Sequence, residues 1–207
     1  MTSRILSITI VAVSFLFSGC GALRQPPAVE VPPSDLASPD ISEIVDGNLE
    51  TAGALQTDGF VEKRLAASIQ LNRTFVDSRE VVGTKRAGAL IALKEPTFIS
   101  YIEVHTNSML TEPIIDVITV KSRSAANPFI RIGDRQLGKR IRAGTVQRFR
   151  IGRKILYLRL TTDAIEESSD AERTTQFRKY KTDVTRIPLK GPMIREVRFY
   201  KIPEKPE

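Results

Sequence analysis

From about residue 80 onward the apolar residues recur at every second position, and that period restricts the chain to extended strands. Within residues 98–106, Ile102 and Val104 point one way and Glu103 and His105 the other, as a strand with one buried face requires. Residues 89–93 form a short apolar run that Lys94, Glu95 and Pro96 break. Residues 114–121 are rich in β-branched side chains and close at Ser122. Residues 146–151 and 155–160 flank Gly152, Arg153 and Lys154, which read as a hairpin turn. A last run, 193–202, precedes a polar, proline-containing tail. Helix signals are few, and residues 60–71 fit either one turn-rich helix or a strand pair. Short strands with long irregular connections predict an all-β protein, an antiparallel sandwich or barrel.

At 207 residues the chain has room for one ordinary domain with a proper core, plus appendages. Hydrophobic content of 41% and charged content of 27% are those of a globular protein. Trp is absent and aromatics make up 6%, so few rings are on offer for stacking on neutral sugars. Cys20 is the only cysteine, which excludes an intrachain disulfide and a cysteine-built metal cluster. The formal charge of +7 favours acidic partners.

Arg4 is followed by an uncharged stretch, residues 5–17, that is too short for the ~20 residues of a spanning helix and suits a signal-peptide core. Leu16-Phe17-Ser18-Gly19-Cys20 then resembles a bacterial lipoprotein signal, with Phe17 where that family more often has Leu. The resemblance implies cleavage before Cys20 and its lipidation, at ~0.8 kcal/mol per buried methylene. Gly21, rather than Asp, follows the cysteine, which implies an outer-membrane address. Pro26, Pro27, Pro32, Pro33 and Pro39 describe a semi-rigid tether. The expected organisation is a signal peptide over 1–19, lipidated Cys20 and linker over 20–41, a domain over 42–202, and a tail over 203–207.

Four segments of that domain are similar, in order, to the discoidin, or coagulation-factor type C, family. They are the turn Asp46-Gly47-Asn48 with Thr51, the strand at 99–106, the strand at 156–160, and the closing strand at 194–200. The resemblance implies a jelly-roll β-sandwich of the galactose-binding-like class. It also implies one structural Ca2+, held by Asp46, Asn48, Thr51 and Glu196 together with the carbonyls of Glu43 and Arg195. Calcium takes six to eight oxygen ligands, which such a set supplies; alone, Asp46-Gly47-Asn48 is also an ordinary polar turn. Two departures stand out: Ala52-Gly53-Ala54 replaces the family's Trp, and the connection from Thr51 to Ala89 is longer. No rim ligand residues map onto this chain.

His105, the only histidine, has Glu103 beside it and no nucleophile nearby in sequence, so it reads as a solvent-side or capping residue rather than a catalytic base. Residues 131–160 carry ten Lys and Arg against Asp134 alone, whereas Asp163, Glu166, Glu167, Asp170 and Glu172 follow without a base. Arg148 and Arg150 alternate with Phe149 and Ile151 and so project away from the core. With Arg153 and Lys154 they form either a solvated face partly neutralised by the acidic segment or a surface for phosphate or carboxylate groups. Nucleic acid is excluded by the export signal. The expected function is a non-catalytic, lipid-anchored binding or adhesion module of the envelope, with carbohydrate as ligand by family resemblance. The alternatives are a structural lipoprotein docking a partner protein, or binding of anionic lipid or lipopolysaccharide through the basic face.

Overall fold

The computed structural model describes residues 27–68, 73–133, 139–177 and 181–203, and among these there is no α-helix. The strands are β1 (Val29–Glu30), β2 (Leu36–Ala37), β3 (Gly53–Ala54), β4 (Phe60–Ser68), β5 (Arg73–Val82), β6 (Arg86–Thr106), β7 (Leu110–Thr111), β8 (Ile114–Ile118), β9 (Ile130–Ile132), β10 (Arg140–Ile141), β11 (Val146–Asp163), β12 (Ile165–Glu166), β13 (Glu172–Phe177), β14 (Lys181–Lys190) and β15 (Met193–Lys201). The main sheet runs β1-β15-β6-β11-β8-β9, with β2 also on β6 and β3 also on β15.

β6 and β11 organise the fold. They pair antiparallel from Val146–His105 to Asp163–Arg86, with register breaks between Arg150 and Arg153 and between Ile155 and Tyr157. At the second break β6 advances from Ala92 to Thr97 while β11 advances only from Tyr157 to Ile155, so residues 93–96 bulge out. Pro96 has no N–H to give the ladder, and Gly152 sits at φ +64, a conformation that suits glycine. The bent pair puts its two halves into two layers. One half carries β15 and the other carries β8 and β2. Between them lies one cluster that includes Ile91, Leu93, Val117 and Leu158 from one layer and Ile102, Val104, Val197 and Phe199 from the other. This is an antiparallel β-sandwich made from one continuous sheet, the all-β class the period-two runs predict.

Two expected strand ends are therefore corrected. Lys94-Glu95-Pro96 does not end a strand but bulges inside β6, and Gly152-Arg153-Lys154 is not a hairpin turn: Gly152 lies in a bulge inside β11, after which Arg153 and Lys154 rejoin the ladder opposite Ile99 and Phe98. In β6 the burial phase steps from Ala87, Ala89, Ile91, Leu93 and Ile99 to Ile102, Val104 and Thr106, keeping apolar side chains inward past the bend.

The folded unit also begins before residue 42. Val29 pairs with Lys201, Leu36 pairs with Leu93, and Val31 and Ile41 are core residues. Pro32 and Pro33 fit this course because they lie between edge strands, Pro33 opening a 3-10 turn. Residues 29–41 thus pack on the sandwich and leave only the stretch before them for a linker. Cys20 lies outside the described residues.

A second sheet, β12-β14-β4-β5 with β13 also on β14, fills the long connection after Thr51 and the segment before β15. It settles residues 60–68 as a strand, paired with β5. Its own core is Val61, Ile187 and Leu189. It joins the sandwich through the reciprocal Gln56–Gly88 hydrogen bonds, 2.9 Å each, and through the Ala164 N–H, which donates to the Lys85 carbonyl.

Candidate functional site

The Asp46 turn follows a 3-10 turn at Ser42–Val45. Gly47 has φ +80, and a Cβ there would lie 2.8 Å from Pro33 Cγ, so both backbone and space call for glycine. Asp46 Oδ1 accepts the Asn48 N–H at 2.8 Å and Asn48 Oδ1 accepts the Glu50 N–H at 3.0 Å, an ordinary Asx-turn arrangement. The Thr51 hydroxyl is the informative group. It lies 2.8 Å from Asp46 Oδ2, 2.8 Å from the Asn48 carbonyl and 3.5 Å from the Glu43 carbonyl. One hydroxyl has one proton, so it cannot satisfy three acceptors.

Glu196 meets this turn from β15. A bulge between Ile194 and Glu196 leaves Arg195 without a ladder partner and turns Glu196 inward, 2% exposed. The Arg195 side chain donates to Asn107 Oδ1 at 3.3 Å. Glu196 faces the Gly47 N–H, and its Oε2 is buried with no hydrogen-bond partner. Burial pushes its carboxyl up to about 7; the Gly47 N–H opposes that rise and the Asp46 carboxylate adds to it. The structure thus brings Asp46, Asn48, Thr51, Glu43 and Glu196 together as a set of oxygens short of protons. Such a set fits a hard cation of the calcium type.

The basic face divides. Arg148 donates to Glu103 Oε1 from Nη2 at 2.6 Å and Nε at 3.2 Å, and lies 4.2 Å over the Tyr101 ring. Tyr101 stacks on Tyr200 at 4.6 Å, and the Tyr200 hydroxyl donates to Glu103 Oε2 at 3.1 Å. Partial burial works against the Glu103 charge, but the bonds from Arg148 and Tyr200 outweigh it and hold the carboxyl below its usual range. Arg148 is therefore neutralised, and Tyr101 is flanked from β11 and from β15. His105 Nε2, 3.9 Å from Glu103 Oε2, has no hydrogen bond. Burial, then Arg198, keeps its pKa below the usual histidine value. Arg150, Arg153 and Lys154 remain exposed, and among the described residues no carboxylate pairs with them.

The acidic segment does not neutralise this face. Asp163 pairs with Arg86 at 2.7 Å, Glu166 with Arg79 and Lys63, and Glu167 and Asp170 with Lys190 at 3.5 and 2.9 Å. Its partners lie on β4, β5, β14 and the start of β6. Arg131 and Arg159 instead share Asp116, 3% exposed, at 3.2 and 2.8 Å. In the sequence Asp116 shows itself only as a lone acid between Ile115 and Val117, the pattern of a buried pair. Arg135 lies outside the described residues.

No protein-family model and no curated protein matches the chain. Among solved structures it is similar to the family 32 carbohydrate-binding module of NanJ from Clostridium perfringens in complex with galactose, at 11% identity and TM-score 0.45, over 84% of this chain and 100% of that one. It is similar to the C-terminal domain of a chitobiase from Bacteroides fragilis, at 10% identity and TM-score 0.46, over 85% of this chain and 100% of that one. The class assigned here, an antiparallel β-sandwich with a second sheet, rests on the strand pairing and core described above.

Proposed function

We propose that the protein is a non-catalytic binding module of the cell envelope, held in the outer membrane by a lipid on Cys20, that binds an anionic envelope component, carbohydrate first. Calcium at Asp46, Asn48, Thr51 and Glu196, with the carbonyls of Glu43 and Arg195, braces the sandwich. The observation that carries the binding reading is the exposed trio Arg150, Arg153 and Lys154 on one stretch of β11, without a carboxylate partner among the described residues. Arg148 belongs to this face but spends its charge on Glu103.

Binding of the full chain to an acidic polysaccharide and to anionic vesicles, measured at about 50 and about 300 mM salt, tests it. Affinity is expected to fall about tenfold or more between the two conditions for whichever surface it prefers. Arg150→Ala, Arg153→Ala and Lys154→Ala together should remove most of the binding while leaving the melt within about 2 °C, because exposed side chains contribute little to stability. Binding indifferent to salt would sink the reading.

A second reading, docking of a partner protein, is favoured by the second sheet. All six residues of its edge strand β13 are exposed, Phe177 at 73%. Crosslinking of wild type and Phe177→Ser in envelope membranes separates the two: a partner that is lost with Phe177 supports docking.

A further inference from the structure

A hollow of about 280 Å³ lies between the bend of β6 and the end of β15, lined by Glu95, Pro96, Phe98, Lys154, Lys201 and Ile202. We infer that it is a subsite for a sugar ring that carries a carboxylate, a pyranose of the uronic-acid class. This deepens the anionic-ligand reading, on which it rests, and shares Lys154 with it.

Three features of the lining point that way. Phe98 is 47% exposed although it belongs to a strand, and with Pro96 and Ile202 it supplies an apolar surface of the kind that covers the C–H face of a sugar. Lys154 stands opposite Phe98 in the ladder, and Lys201 closes β15 beside it; among the described residues neither ammonium has a carboxylate partner. Two unpaired point charges on one small hollow select an anion. Among the described residues Glu95 has no ion-pair partner either, so the site accepts hydroxyl donors and repels a compact multivalent anion. A ring with one carboxylate and several hydroxyls meets all three demands, whereas free phosphate meets only the second. The bend itself is held by the Thr97 hydroxyl, which donates to the Glu95 carbonyl at 3.0 Å. The larger hollow on the second sheet, about 500 Å³, differs in that Lys63 and Lys181 on its wall are ion-paired with Glu166 and Asp183.

Calorimetric titration of the full chain with galacturonate and glucuronate oligomers, their neutral hexose counterparts and inorganic phosphate tests the assignment. The acidic oligomers are expected to bind about tenfold tighter than the neutral ones and than phosphate. Phe98→Ala and Lys201→Gln should each weaken them about fivefold with the melt unchanged, the scale of one stacking or one charge contact. If neutral and acidic sugars bind alike, if phosphate competes equally, or if both variants bind as wild type does, the subsite is overturned. If in addition the Arg150 and Arg153 variants lose salt-sensitive binding while Phe98→Ala does not, the basic-face reading survives alone. If no anion binds at all, both fall.

Discussion

Removing calcium with a chelator is expected to lower the melting temperature of the protein by about 5–10 °C, and Asp46→Ala should abolish the difference. An ion at ~100 times its Kd adds about 2.7 kcal/mol, and about 2–4 °C accompany each kcal/mol in a domain of this size. The cause is local: three acceptors share the single Thr51 proton, and Glu196 Oε2 is buried without a partner. A cation relieves all of them at once. Identical melts with calcium and with chelator would remove the brace from the account.

The same carboxyl makes the calcium-free protein sensitive to pH. Glu196 sits at about 7 in the folded chain, above the ~4.3 of an unperturbed glutamate. Between those values the folded chain holds a proton that the unfolded chain has lost. Stability in chelator therefore falls as pH rises from about 4.5 to about 7, by about 3 kcal/mol, and is flat above. Glu196→Gln should remove that slope and melt higher than wild type in chelator at pH about 8, since an amide avoids the cost of burying a lone charge. The read-out is a set of thermal melts across that range, and a slope that survives Glu196→Gln counts against the assignment.

Gly191→Ala is expected to cost about 3 kcal/mol or more, a fall of roughly 6–12 °C in the melt. A Cβ at Gly191 would lie 1.8 Å from the Leu55 carbonyl oxygen and 2.5 Å from its carbon. These are backbone atoms, so no rotamer change relieves the contact. Leu55 is 2% exposed, and its N–H donates to the Pro192 carbonyl at 3.1 Å. The chain has to shift where β14 leaves the second sheet and β15 enters the sandwich. Gly144→Ala is the control: nothing lies within 4 Å of its Cβ position, and its φ of +69 costs only about 1 kcal/mol. Equal melts for the two variants would contradict the packing at this joint.

Strand content was legible because period-two burial is a local property; Ile102 and Val104 report it without any neighbour. The reading of residues 94–96 and 152–154 as strand ends failed for a physical reason. Proline and glycine signal a departure from the ladder, and a bulge and a turn both begin with one. Which follows is decided by the partner strand: β11 accompanies β6 past both sites. The Asp46–Glu196 pairing came from family resemblance, since no local pattern links residues so far apart. The hollow at Phe98 was illegible because β6, β11 and β15 each bring only part of it. The acidic segment misled because closeness in sequence stood in for closeness in space; Glu166 reaches Arg79 and Lys63 across the second sheet instead.

β6 and β11 belong to both layers of the sandwich, so no plane divides the layers without breaking their shared ladder. The sandwich therefore has no seam at which one layer can lift from the other, and it gives way as a single cooperative block. The second sheet stands outside that constraint, with a core of Val61, Ile187 and Leu189 and few ties to the block. Its packing is thus largely its own, while the Asp46 turn, Glu196 and the basic stretch of β11 all belong to the block.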